Sequence, residues 1–210
     1  VVGGCIVDSG KFDWSVGGRY PELTTPDDSY HGVVYTESFG PAAYVTKARV
    51  QMLRDMGNTM SPMAAFLLNL GLETLALRME RHCANALAVA KFLENHECVD
   101  WVDYPLLEGN AQYDLAKKYL PKGACGVISV GIKGGRAAAT KFLDNLKLMN
   151  IVVHVADARS CALHPASTTH RQLTEEQLNA CGVKPEQVRL SIGIENIEDI
   201  LADLDQALRA

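Results

Sequence analysis

An α/β or α+β layer of small-domain size is the fold class that this 210-residue sequence predicts. Three patterns carry that reading. From Val99 onward, short apolar runs alternate with helical stretches. Ahead of them, Ser61 to Leu93 places apolar side chains at helical spacing. At the end, Ile197, Ile200, Leu201, Leu204 and Leu208 mark a closing amphipathic helix.

The chain opens on Val1-Val2-Gly3-Gly4-Cys5-Ile6-Val7-Asp8, which reads as a buried strand already under way. It has no initiator Met, no charged n-region and no small-residue cleavage site. A piece of a longer protein is therefore the expectation, rather than a signal peptide. Ser9 to Gly40 reads as a long irregular region rich in Gly, Pro, Asp and Ser, carrying Trp14, Tyr20, Tyr30, Tyr35 and Phe39. Such a loop is either functional or packed in a partner interface.

Pro41 suits the first turn of a helix with Tyr44, Val45, Ala48, Met52 and Met56 on one face, closed by Gly57. Ser61-Pro62 is a helix start, and the apolar pattern beyond it predicts one long helix to Leu93, bent near Gly71. Strands are expected over Val99–Tyr104, Gly126–Ile132, Ile151–Val155 and Gln187–Ile192. Helices are expected over Ala111–Leu120 and Arg136–Leu148. Thr174-Glu175-Glu176-Gln177 is a capping box, and Gly182 closes its short helix.

At 48% hydrophobic and 21% charged residues the chain has an ordinary globular composition. Its formal charge of -5 and pI near 5.7 argue against nucleic acid as a partner, since phosphate contacts need clustered Lys and Arg. No apolar run is long enough to span a bilayer. Cys5, Cys83, Cys98, Cys125, Cys161 and Cys181 are scattered without a CxxC pair. That usage predicts a reduced, cytoplasmic protein whose thiols act as small apolar residues.

Few residues announce chemistry. Gly131-Ile132-Lys133-Gly134-Gly135-Arg136 lies between a strand and a helix, but its spacing fits neither phosphate-loop pattern and predicts a turn. His164 and His170 flank a Pro-Ala-Ser-Thr-Thr loop without metal-ligand spacing and suit a hydrogen-bonded loop. His82 and His96 suit surface or satisfied core positions. No metal site is expected. Arg189 stands apart, a guanidinium in the apolar strand Val188-Arg189-Leu190-Ser191-Ile192. It cannot shed its charge and needs an anion, either a core Asp or Glu or the carboxylate of a ligand.

Several segments resemble the Cys/Met-metabolism family of pyridoxal-phosphate (PLP) enzymes. His164-Pro165-Ala166-Ser167-Thr168-Thr169-His170 and Arg189-Leu190-Ser191-Ile192-Gly193-Ile194-Glu195 resemble its C-terminal signature, and Gly3–Asp8 the strand after its cofactor lysine. Ser61-Pro62 through Gly71–Leu75 to Arg78–His82 is similar to its linking helix. Gly10–Trp14, Ser29–Gly32, Ala43–Arg49 and Leu115–Gly123 are similar to its O-acetylhomoserine sulfhydrylase branch.

The resemblance implies the C-terminal part of a fold-type I PLP-dependent transferase. Residues 1–60 would be the end of the large domain, 61–98 a linking helix, and 99–210 a small α/β domain. It implies γ-replacement of acetate on O-acetylhomoserine by sulfide or a thiol, with pyridoxal 5'-phosphate as the electron sink. It also implies a homo-oligomer, a homotetramer in the family, and an N-terminal half that carries the cofactor lysine. No catalytic residue of the family then falls in this chain. Arg189 would grip the substrate α-carboxylate. His154, standing where lyases of the family carry a serine, could donate a second hydrogen bond to it. Within the same family the alternatives are a cystathionine γ-synthase or a methionine γ-lyase. Outside catalysis the alternative is an interaction domain derived from the fold.

Overall fold

A computed structural model describes residues 1–210. The chain divides into two compact units, Val1–Glu73 and Thr74–Ala210. No helix is long and apolar enough to cross a membrane.

The first unit is built from short helical pieces. Val1–Asp8 forms no strand and is largely exposed, against the expectation of a buried one. An extended segment needs a neighbouring strand for its backbone groups, and nothing in the chain supplies one. Ser9–Gly40 is more ordered than its composition predicts. It holds 3-10 turns and the helices α1 (Pro21–Thr24) and α2 (Tyr35–Phe39). Leu23, Tyr35 and Ala43 form its core, backed by Trp14, Tyr30 and Val50. Trp14 stacks on Tyr44 with centroids 5.2 Å apart and meets Phe12 and Tyr20 edge-on.

Asp27 fastens this unit together. Its carboxylate accepts from Lys47 Nζ at 2.8 Å, Gln51 Nε2 at 2.7 Å and Ser29 Oγ at 2.7 Å. Lys47 and Gln51 lie on a continuous helical stretch made of α3 (Ala43–Lys47), a π-helical segment (Ala48–Leu53) and α4 (Arg54–Met56). Gly57 ends it in the left-handed conformation, φ 68°. Next, α5 (Pro62–Glu73) starts where Ser61 Oγ accepts from Ala64 N, 3.2 Å. None of its residues is buried.

The second unit begins with α6 (Leu75–Glu94). The single helix expected from Ser61 to Leu93 is thus two, separated at Thr74 (φ -109°, ψ 7°) rather than bent at Gly71. A β-branched threonine is a weak helix former, and the apolar periodicity alone did not register the break. Then follow β1 (Val99–Asp103), α7 (Tyr113–Tyr119), β2 (Val127–Ile132), α8 (Gly135–Asp144), β3 (Asn150–Ile151), β4 (Cys161–Leu163), α9 (Glu175–Ala180), β5 (Gln187–Ser191) and α10 (Ile197–Arg209). The α9 capping box is present as expected, with Thr174 Oγ1 accepting from Gln177 N and Gln177 Oε1 from Thr174 N.

The sheet runs β1-β2-β5-β4-β3, antiparallel except for the last pair. Alternation sends Ile128, Val130, Ile132, Val188 and Leu190 to one face. There they meet Val89 and Leu93 of α6, Phe142 and Leu143 of α8, and Ile200 and Leu204 of α10. Asp203, buried on α10, accepts from the backbone N–H groups of Lys147, Leu148 and Met149 at 2.8–3.2 Å. It thereby closes the turn that leads into β3. The opposite residues of the pleat, Ser129, Gln187, Arg189, Ser191 and Cys161, share the other face.

Two strand expectations change. Ile151–Val155 is a strand only at Asn150–Ile151. Val152 N still donates to Ala162 O (3.2 Å), but Val153, His154 and Val155 leave the ladder and lie exposed. The β-branched valines read as strand formers, whereas the position is a sheet edge where pairing ends. Conversely, β4 is a three-residue strand that the sequence did not announce, wholly buried between β5 and β3.

Candidate functional site

The candidate site lies where the 153–156 segment crosses β5. Register sets Arg189 opposite Ser129 of β2 and Leu163 of β4, and Ser191 opposite Cys161. Arg189 is half-buried. Its Nη2 donates to Val153 O at 2.6 Å and reaches His154 O at 3.5 Å. Its Nε is buried and has no partner. The ion pairs of the chain join Lys47 to Asp27, Arg54 to Asp55, His96 to Asp205, Arg159 to Asp157, and Arg209 to Glu97 and Asp205. None takes in Arg189. The core carboxylate that the sequence left open as its partner is therefore absent. The guanidinium is steadied by neutral carbonyls, and its charge is uncompensated within the chain.

Three contacts hold the segment that offers those carbonyls. Cys161 Sγ donates to His154 O at 3.1 Å, Ala156 N donates to Ser191 Oγ at 3.1 Å, and Arg189 supplies the third. Burial pushes the Cys161 thiol up from its ordinary value, against smaller downward pulls from the Ser191 hydroxyl and the Arg189 charge. The thiol thus stays protonated at neutral pH and remains a donor. Ala156 sits at φ 60°, in the left-handed region that favours glycine.

Beside it, Glu195 fastens the next turn. Its carboxylate accepts from Ser160 N at 2.5 Å and from Ser160 Oγ at 2.9 Å, while Ser160 Oγ accepts from Gly193 N at 2.8 Å. Asn85 of α6 donates to the carbonyls of Gly193 and Glu195, and His82 Nδ1 to that of Ile192 at 2.6 Å. A Cβ at Gly193 would collide with Ala158 O and Glu195 Oε2, so only glycine fits.

Of the two site residues expected from sequence, Arg189 lies on this face. The side chain of His154 is exposed, and it is the backbone carbonyl of His154 that meets Arg189. The structure brings the two together through that carbonyl. Two further histidines are tied into the fold by hydrogen bonds. Buried His164 is held between Ser167 Oγ (2.8 Å) and Pro185 O (2.7 Å), and His96 meets Asp205 at 3.2 Å. Of the Gly131–Arg136 stretch expected to be a turn, Lys133–Gly134 is one, with Lys133 Nζ on Glu97 O, while the residues before it end β2 and those after it start α8. Cys161 and Ser191 were missed as parts of the site. A thiol and a hydroxyl in apolar runs carry no pattern that predicts which carbonyl or N–H they meet.

Residues 1–209 match the model of the Cys/Met metabolism PLP-dependent enzyme family. The chain belongs to that family. It is 50% identical over 208 residues to a homocysteine synthase of Schizosaccharomyces pombe, covering 99% of this chain and 48% of the relative. It is 48% identical over 217 residues to an O-acetyl-L-homoserine sulfhydrylase of Leptospira meyeri, covering 99% of this chain and 49% of the relative. A solved Campylobacter jejuni chain with the provisional name O-acetylhomoserine (thiol)-lyase superposes with a TM-score of 0.86 at 40% identity. That match covers 94% of this chain and 47% of the solved one, which holds an N'-pyridoxyl-lysine-5'-monophosphate. The fold is the C-terminal portion of a fold-type I PLP-dependent enzyme. This family member spans about half the length of the curated relatives it matches.

Its lysines do not fit the family's cofactor. A Schiff-base lysine needs a depressed pKa from burial or a cationic neighbour. Here every lysine is exposed except Lys47, which is half-buried and paired with Asp27. No chemical step through the cofactor is therefore assigned to this chain.

Proposed function

We propose that the chain is the substrate-carboxylate-binding part of a PLP-dependent O-acetylhomoserine sulfhydrylase. That enzyme replaces the acetate of O-acetyl-L-homoserine with sulfide or a thiol, giving homocysteine or methionine. In this reading residues 1–60 trail the cofactor domain, 61–98 form the linking segment and 99–210 form the small domain. The working enzyme is a cytoplasmic homotetramer, completed by the half that carries the cofactor lysine.

One observation carries the reading. Arg189 is a half-buried guanidinium with no carboxylate partner and an unpaired buried Nε, on the strand whose motif resembles the family's substrate-gripping one. Buried polar groups are nearly always satisfied, so an orphan of this kind points to an absent anion. A carboxylate that meets the guanidinium fork is held in orientation as well as in place. His154 stands beside this grip and supplies a further donor when its exposed ring turns inward. The names of the relatives, homocysteine synthase and O-acetylhomoserine sulfhydrylase, support the choice of substrate.

The test joins this chain to the additional half that its relatives carry and measures kcat/KM for O-acetyl-L-homoserine. Arg189→Lys keeps the charge and loses the fork. A loss of at least ~tenfold, about 1.4 kcal/mol, is expected. Unchanged kcat/KM in a destabilised protein would remove Arg189 from the site. In parallel, borohydride reduction of the chain mixed alone with pyridoxal 5'-phosphate should leave no pyridoxyl group at a defined lysine.

A further inference from the structure

The geometry points to Cys161 and Ser191 as positioning residues for Arg189. The inference rests on the reading of Arg189 as the carboxylate grip. Its physical basis is the loop rather than the strand. A guanidinium has five N–H donors. One end of this one is occupied by backbone carbonyls that belong to no regular element, Val153 O and His154 O. Whatever fixes those carbonyls therefore fixes the plane of the guanidinium.

Two neighbouring side chains do so from the same sheet face. The Cys161 thiol donates to His154 O, the same oxygen that Arg189 approaches. Two residues further on, the Ser191 hydroxyl accepts from Ala156 N. Cys161 and Ser191 are register partners on β4 and β5, and Arg189 lies one pleat from Ser191. Both side chains are buried, with 3% and 1% exposure, and each turns its polar atom to the exposed segment beside it. Between them they pin both ends of the His154–Ala156 turn, whose strained Ala156 would otherwise relax. Without the pins the carbonyls swing, the guanidinium loses its fixed plane, and a bidentate fit to a carboxylate weakens. Neither residue touches the ligand.

The experiment uses the complete assembly and compares two competitive inhibitors, L-homoserine and 3-amino-1-propanol, which is the same molecule without its carboxylate. Cys161→Val keeps the volume and removes the donor, Cys161→Ser keeps a donor, and Ser191→Ala removes the acceptor. Cys161→Val and Ser191→Ala should each weaken L-homoserine about fivefold, the ~1 kcal/mol of one hydrogen bond, and leave the amine within about twofold. Cys161→Ser should restore the amino acid, which a general packing defect would not allow. Arg189→Lys is the control. If it discriminates between the inhibitors and neither Cys161→Val nor Ser191→Ala does, the positioning role fails and the grip stands. If Arg189→Lys weakens both inhibitors equally, the carboxylate reading itself fails. A Ser191→Ala protein that does not fold leaves the decision to the Val and Ser variants at Cys161.

Discussion

The two units of this chain spend their apolar residues differently. In Thr74–Ala210 the pattern closes on itself. Three helices cover one sheet face, and Val89, Leu93, Ile128, Val188, Leu190, Ile200 and Leu204 are inaccessible to solvent. In Val1–Glu73 the core is Leu23, Tyr35 and Ala43, while Phe66, Leu67, Leu70 and Leu72 of α5 and Val1, Val2 and Val7 remain exposed. The difference teaches that apolar content and apolar burial are separate facts. Helical periodicity is present in both units, and only in the second do the apolar residues of the helices meet a sheet face.

The sharpest way to break this comparison is to truncate one leucine in each unit. Leu204→Ala removes a fully buried side chain from beneath the sheet, and a loss of ~2–5 kcal/mol is expected. Leu70→Ala, on a helix with no buried residue, should change stability by less than ~0.5 kcal/mol. Each unit carries one of the two tryptophans, Trp14 and Trp101. Denaturation followed by fluorescence in Trp14→Phe and Trp101→Phe backgrounds reports the units separately. A Leu70→Ala loss as large as that of Leu204→Ala would end the contrast.

Asp203 offers the next largest effect. Its carboxylate satisfies three backbone N–H groups that have no other acceptor among the chain's hydrogen bonds. Asp203→Ala should cost ~2–4 kcal/mol, seen by Trp101. Asp203→Asn, which keeps one carbonyl acceptor, should recover part of it.

Legibility followed the same division. Caps and periodicity are local, so Thr174 with Gln177, Ser61, Gly57 and the α10 stripe could be read from the sequence and are present. Strand identity depends on neighbours. Val152, Val153 and Val155 have strand propensity but sit past the end of a ladder, and Cys161–Leu163 pairs on both sides without an alternating pattern. Val1–Asp8 has a strand's composition and no partner. At the site, the charge of Arg189 on an apolar strand was visible at once. Its acceptors were not, because Val153 O and His154 O are backbone atoms some 35 residues away that any side chains could have carried.

Acid should separate the units more gently. Lys47, then Ser29, hold the Asp27 carboxyl well below the usual carboxylate range. A depressed folded pKa stabilises above the unfolded value, about 3.9, and that stability is lost as pH falls below it. The midpoint reported by Trp14 should therefore drop as pH is lowered below about 4. Lys47→Met removes the first cause of the shift and should flatten that dependence. A Trp14 midpoint equally acid-sensitive in both proteins would show that Asp27 does not fasten the first unit.

The smallest expected effect lies at Ala156. Its φ of 60° places a Cβ in a region that costs a non-glycine residue ~1–2 kcal/mol. Glycine would remove that strain, while its freer unfolded chain takes back ~0.4–1 kcal/mol. The balance favours Ala156→Gly by ~0.5–1 kcal/mol, because the backbone N–H to Ser191 is retained whichever side chain is present. Strain of this kind persists only where the surroundings over-determine the backbone. Here they do, through Ser191 on Ala156 N and Cys161 and Arg189 on His154 O. Urea unfolding followed by Trp101 should show a higher midpoint at unchanged slope. A lower midpoint would mean that Ala156 is not held in the left-handed region in solution. The turn would then lie free of β5, and the carbonyls that steady Arg189 would lose their anchor.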